Sequence, residues 1–212
     1  MLITHIGHAE FLIELEGGLR IVTDPYDASC GYPVRQLAAD AVLVSHHHHD
    51  HDAVENVTGS PRVIGEAGEY TLEKDVKIKA LEGFHDDARG AKRGKTLLFQ
   101  LAAEGMRVVH LGDLGCLPDE KQTWALEKPD VLMIPVGGFF TIDAAQAFET
   151  VKKLQPKVII PMHYKTEYIE DWPIERLDAF LKFFDAKDIR QGGDALRVTA
   201  GDLVCQPKVA VI

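Results

Sequence analysis

The chain is short of several features that would place it outside ordinary soluble enzymes. Its three cysteines, Cys30, Cys116 and Cys205, are far apart and odd in number. No pair has C-x-x-C spacing, which argues against a disulfide framework or a cysteine zinc knuckle and leaves reduced thiols as the expectation. No apolar run approaches the roughly 20 residues that span a bilayer. The opening residues, Met1-Leu2-Ile3-Thr4-His5, lack a basic segment followed by an apolar one. A cytoplasmic location without a membrane partner is therefore expected. A basic surplus is missing too. The formal net charge of −10 argues against a general nucleic-acid binder, which needs a basic face. It is compatible with a small anionic substrate, because a metal centre reverses the local potential. No linker or repeat divides the 212 residues, so residues 1–212 are expected to form one domain, free to act as a homo-oligomer.

What is present is a change of pattern along the chain. Residues 2–6, 10–15 and 20–23 alternate as strands, separated by Gly7-His8-Ala9 and Glu16-Gly17-Gly18, and predict an antiparallel meander that Asp24-Pro25 terminates. Residues 41–45 are a short continuous apolar run, expected of a strand buried on both faces. Further strands are predicted at 62–64, 76–81, 95–102 and 106–111, with a polar, Gly-containing and mobile loop from Asp86 to Lys95. Beyond residue 119 helices (119–127, 143–154, 174–185) alternate with strands (130–135, 157–161), and short strands return over 196–212. The clearest helix places Ala144, Ala147, Phe148, Val151 and Leu154 on one stripe behind an Asp143/Gln146 capping pair. Two mixed halves packed sheet against sheet, with helices outside, is the α/β architecture this implies.

The histidines carry the chemistry. Short histidine segments follow predicted strands at His46–His51, His85, His110–Asp113 and His163, and strand ends converge on one rim of a sheet. In the run His46-His47-His48-His49-Asp50-His51, alternation sets His46 and His48 on one side, with His47 and His49 pointing away. Imidazole and carboxylate donors in this spacing suit zinc or another borderline divalent ion. A terminal purification tag does not explain an interior run containing aspartate.

With its H-x-H-x-D-H motif after a hydrophobic strand, the chain resembles the metallo-β-lactamase fold superfamily. Asp24-Pro25, Gly83-Phe84-His85-Asp86, Gly112-Asp113 and Pro161-Met162-His163-Tyr164 follow in the family's order. Gly7-His8-Ala9, His110-Leu111-Gly112-Asp113 and Pro135-Val136-Gly137-Gly138 are similar to the branch of ascorbate-6-phosphate lactonase-like small hydrolases. The resemblance implies an αββα four-layer sandwich with two divalent ions, most readily zinc, with manganese or iron as alternatives. His46, His48 and His85 would hold the first ion; Asp50, His51 and His163 the second; Asp113 would bridge them. A metal-bound hydroxide, oriented by catalytic Asp50, would attack a small ester, lactone or phosphodiester. Asp24 would brace a ligating histidine, while His110, His8 and Tyr164 would stand behind the ligands or touch substrate; His5 reads as structural. The aspartate at position 113 argues against β-lactam hydrolysis, and the histidine at 48 against a flavodiiron-type oxygen reductase. The rival classes are a sulfur dioxygenase-like oxidoreductase with one iron and a metal-binding protein with little catalysis. Arg89, Lys92, Arg93 and Lys95, near His85, could steer an anion, and Phe139-Phe140 could wall the centre.

Overall fold

A computed structural model describes residues 1–73 and 75–212. Strands β1 (Leu2–Gly7), β2 (Glu10–Glu14) and β3 (Arg20–Thr23) form the expected meander, with Ile3 opposite Ile13 and Ile13 opposite Ile21. A small pair, β4 (Leu37–Ala38) and β6 (Val57–Thr58), lies outside it. Strands β5 (Ala41–Leu43) and β7 (Arg62–Ile64) continue the first sheet in parallel with β3. The second sheet begins with β8 (Gly68–Glu73), β9 (Val76–Phe84), β10 (Lys95–Ala103) and β11 (Met106–His110), all antiparallel. It then turns parallel: α1 (Glu120–Leu126) leads to β12 (Val131–Pro135), and α2 (Ala144–Leu154) to β13 (Val158–Met162). After α3 (Asp178–Leu181) come β14 (Ile189–Gln191), β15 (Ala195–Arg197) and β16 (Val209–Val211). The sheets run β15-β1-β2-β3-β5-β7 and β14-β16-β13-β12-β11-β10-β9-β8, so β15 returns to edge the first sheet.

The apolar patterns explain the layers. Ile3, Phe11, Ile13, Ile21 and Leu43 from the first sheet meet Ile78, Phe99, Val108, Met133 and Ile160 from the second in one dry core. The continuous run 41–45 is buried because Leu43 faces that core while Val42 and Val44 face an outer cluster with Val22 and Val57. On the far side of the second sheet, α2 buries Ala147, Val151 and Leu154 against Leu132, Ile134 and Ile159. Each large aliphatic side chain so buried contributes about 1.5–3 kcal/mol. Asp143 and Gln146 close the capping box on α2 as the spacing predicts, and Asp119 and Gln122 do the same on α1. The α-helices all lie against the second sheet; the outer face of the first is covered by the β4–β6 pair and a 3-10 turn, Val54–Asn56.

Two local expectations change. The helix expected over 174–185 shortens to Asp178–Leu181, because the segment winds largely through i→i+3 turns, Phe183 N–H to Phe180 O and Phe184 N–H to Leu181 O among them. Packing decides this: Phe183 stacks on Phe148 of α2 at 4.8 Å and Phe184 meets it edge-on at 5.5 Å. The loop after His85, expected to be mobile, is wound around Asp86. One carboxylate oxygen accepts from the Ala88 and Gly90 N–H groups, the other from those of Lys92 and Arg93, at 2.8–2.9 Å. Against the upward push of burial, these bonds hold the Asp86 carboxyl down to about 2. The three cysteines are free thiols, and no described helix is long and apolar enough to cross a membrane.

Candidate metal centre

Strands β1, β3, β5, β9, β11, β12 and β13 present their carboxyl ends at one rim, within each sheet because these strands run parallel to one another. His8 follows β1, Asp24 follows β3, His46 to His51 follow β5, His85 follows β9, Asp113 follows β11 and His163 follows β13. Local backbone geometry places several of them. His8, Asp24 and His163 all have positive φ (53°, 42° and 52°), an uncommon state for residues with a Cβ and one that concentrates at working sites. Gly112, at φ 48°, is packed so tightly that an added Cβ would lie 2.6 Å from Thr96 Oγ1 and 2.7 Å from the Leu97 carbonyl. That turn aims Asp113 inward, and its N–H bonds to Thr96 Oγ1 at 3.2 Å.

Asp113 is the focus. Its Oδ2 lies 3.2 Å from His163 Nε2, 3.4 Å from both His51 and His85 Nε2, and 3.9 Å from His46 Nε2. His46, His48 and His85 bring ring nitrogens within 4.8 Å of one another, and so do the donor atoms of His51, Asp50 and His163 with His8. The two donor groups of the sequence reading thus meet side by side at Asp113. The buried atoms His46 Nε2, His51 Nε2, His163 Nε2 and Asp113 Oδ1 have no hydrogen-bond partner. Unpaired buried polar atoms cost roughly 1–3 kcal/mol each, so their convergence needs a compensating charge. A set of imidazoles and carboxylates of this kind fits divalent metal ions.

The far nitrogens of His51 and His46 are secured. Asp24, wholly buried, accepts from His51 Nδ1 (3.1 Å) and from Ser45 through its N–H and hydroxyl (both 2.7 Å). Ser45 Oγ in turn accepts from His46 Nδ1 at 2.9 Å. One aspartate therefore sets the tautomers of two histidines and leaves their Nε2 atoms facing Asp113. Burial would raise Asp113, but His163 and His51 pull its carboxyl well below the usual range. His51 moves the other way: burial disfavours its charge, yet Asp113, Asp24 and Asp50 raise it well above the usual value. Burial and its neighbour His51 push His46 down to about 3. His47 and His49 turn outward, to Asp52 and to Ser29, as the alternation implies.

Other candidates are placed differently. His8 is closer in than its motif suggested: its Nε2 donates to Asp50 Oδ2 at 3.2 Å, and its ring lies 4.1 Å from that of His163. His110 does not reach the cleft. Its Nε2 donates to the Ala9 carbonyl (3.0 Å) and its Nδ1 accepts the Gly112 N–H (3.1 Å), so it braces the Asp113 turn instead of touching substrate. Tyr164, after the positive φ of His163, lines a second hollow of about 270 Å³ with His8, His163, Tyr32 and Arg35. His5 is structural, with Nδ1 on the Ile212 carbonyl and Nε2 on that of His8. The donors His48, Asp50, His85 and Asp113 open into a cleft of about 340 Å³ walled by Phe140, Trp172 and Arg93. Phe139 is instead 62% exposed. Trp172 was not singled out in the sequence, since it lies in a loop with no motif around it.

This fold, with its metal-ligand rim, defines the class. The sequence model of the beta-lactamase superfamily domain matches residues 2–163. The chain is 31% identical to a UPF0173 metal-dependent hydrolase of Carboxydothermus hydrogenoformans, covering 84% of this chain and 88% of the relative. It is 32% identical to another from Archaeoglobus fulgidus, covering 78% and 84%. A crystal structure from Thermotoga maritima, assigned to the Zn-dependent hydrolases of the metallo-beta-lactamase superfamily, superposes with a TM-score of 0.82 at 40% identity over 99% of this chain and 97% of that one. The chain belongs to the UPF0173 metal-dependent hydrolase family of the metallo-β-lactamase superfamily.

Proposed function

We propose that the rim hydrolyses a small ester, lactone or phosphodiester with the help of two divalent ions, zinc first among them. His46, His48 and His85 would hold one ion, Asp50, His51 and His163 the other, and Asp113 would serve both. The observation that carries this reading is the approach of four histidine nitrogens to Asp113 Oδ2 within 3.2–3.9 Å, beside a cleft that leaves room for a substrate. When bound, the ions would supply Lewis-acid activation of water and polarisation of the scissile bond.

The protein's own residues do the rest. Asp50 is kept ionised against the upward push of burial by the nearby ring of His51 and the hydrogen bond from His8. With Oδ2 engaged by His8, its remaining lone pairs can accept a proton from the attacking water. Asp24 and Ser45 hold His51 and His46 in the tautomers that face the reacting atoms. Phe140 and Trp172 shed water from the cleft and strengthen every polar contact inside it.

The test is to load metal-stripped protein with zinc, manganese or iron, count ions per chain, and assay bis-4-nitrophenyl phosphate, 4-nitrophenyl esters and lactones in parallel. Two ions per chain with hydrolysis that disappears in Asp113→Asn is the expected result. A single iron with no hydrolysis would overturn it.

A further inference from the structure

Resting on the hydrolase reading, we propose that the substrate carries a second, anionic group, a carboxylate or a phosphate, and that Arg93 is the residue that holds it. The four cations of the loop after His85 separate cleanly in the structure. Lys92 is paired with Asp87 at 2.7 Å and Lys95 with Glu82 at 2.8 Å, so both charges are already answered. Arg89 is exposed and does not border the cleft. Arg93 is half-buried, makes no ion pair with any described residue, and is the one lysine or arginine lining the metal-side cleft.

Its position is built. The Arg93 N–H is tied to Asp86 at 2.8 Å, and its guanidinium carbon lies 5.8 Å and 5.4 Å from the Phe139 and Phe140 ring centroids. Cation–π contact with two aromatic rings steadies the guanidinium at the wall, while its N–H groups make no hydrogen bond to any described residue and are free for two-point binding of an oxyanion. The rest of that wall is Phe140 and Trp172, their rings 5.7 Å apart and edge-on, with Trp172 6.5 Å from the ligand candidate His163. A substrate therefore meets carboxylate and imidazole donors at one end, an apolar waist, and a single unanswered positive charge. In a chain of net charge −10, that charge selects an anion the remaining surface would repel. Arg93 also borders a polar hollow beside Asp86 and Asp87, yet it pairs with neither carboxylate.

Three ligands of equal length separate the possibilities: butyrate, succinate and 3-phosphonopropionate, titrated calorimetrically into zinc-loaded wild type, Arg93→Gln and Arg93→Lys. Wild type should bind succinate or 3-phosphonopropionate about tenfold more tightly than butyrate. Arg93→Gln should lose that preference while binding butyrate within twofold of wild type, and Arg93→Lys should keep part of it. Tighter binding of the phosphonate assigns a phosphate substrate; tighter binding of succinate assigns a carboxylate. Equal binding of all three by wild type, or an unchanged preference in Arg93→Gln, overturns the assignment. The kinetic arm compares 4-nitrophenyl butyrate with mono-4-nitrophenyl succinate, where Arg93→Gln should raise KM for the succinate ester alone and leave kcat near wild type. If neither ester is turned over while the binding preference holds and depends on Arg93, ester hydrolysis fails and the role of Arg93 stands.

Discussion

His46 and His51 at the rim and His110 just behind it are all buried, yet they differ in one respect that separates structure from chemistry. His110, behind the rim, engages both ring nitrogens with backbone groups, the Ala9 carbonyl and the Gly112 N–H, and His5 has a backbone carbonyl, of Ile212 or of His8, beside each of its nitrogens. His46 and His51 spend only Nδ1, on Ser45 and Asp24, and leave Nε2 without a partner beside Asp113. Burial does not mark a ligand, since His110 and His51 are both almost fully enclosed. What sets His46, His51 and His163 apart is an unsatisfied Nε2 beside Asp113. A protein interior pairs nearly all its polar groups, so a cluster of exceptions pointing at one carboxylate oxygen is a site prepared for something absent from the chain itself.

That comparison can be broken in several places. Stripping divalent ions with a chelator should lower hydrolysis to background, at least about a thousandfold, because no rim histidine has a second role to fall back on; readdition of zinc should restore it. Asp24→Asn should weaken zinc affinity or activity by roughly 10- to 100-fold. It keeps the shape but can present an N–H to His51 and release its tautomer, and a competitive zinc-chelator titration reads the effect. His110→Ala should act in the opposite currency. It leaves the Ala9 carbonyl and the Gly112 N–H unpaired, at a cost of about 1–3 kcal/mol in urea unfolding, with a smaller change in zinc affinity than Asp24→Asn. If His110→Ala proved the worse zinc binder and Asp24→Asn the less stable protein, the division drawn here between the two groups would fail.

The smallest effect concerns Glu10, buried just behind the rim. Burial, with Asp24 nearby adding to it, raises its carboxyl to about 8, against a lowering pull from the Tyr26 N–H and Arg35. The folded protein therefore keeps this proton over a range in which the unfolded chain, with an ordinary value of 4.5, has released it. Its contribution to stability is complete below about 4.5 and is lost as pH rises toward 8. Glu10→Gln should flatten that part of the stability–pH curve, measured as urea midpoints at closely spaced pH values.

Much of this was legible in the chain because it is local. The capping pair at Asp143/Gln146, the alternation of the first three strands and the histidine segments after strands all depend on neighbours a few residues away. The one-turn α3 was not legible, because aromatic packing of Phe183 and Phe184 on Phe148 outweighed a good amphipathic stripe. The direction of Tyr164 was not legible for a related reason: adjacency to His163 says nothing about direction when the backbone between them turns left-handed.

By itself, then, the sequence determined which residue types stand at the ends of which strands, and with them the metal-binding chemistry available to this protein. Only the tertiary structure decided which of those residues share a site and what each has left to give. His8 meets Asp50 across 42 positions of chain, and His110 meets Ala9 across 101. Arg93 reaches the wall formed by Phe140 and Trp172 from a different loop. Such meetings are set by the register and order of the strands, a long-range property of packing. Whether a nitrogen is spent or free depends on them.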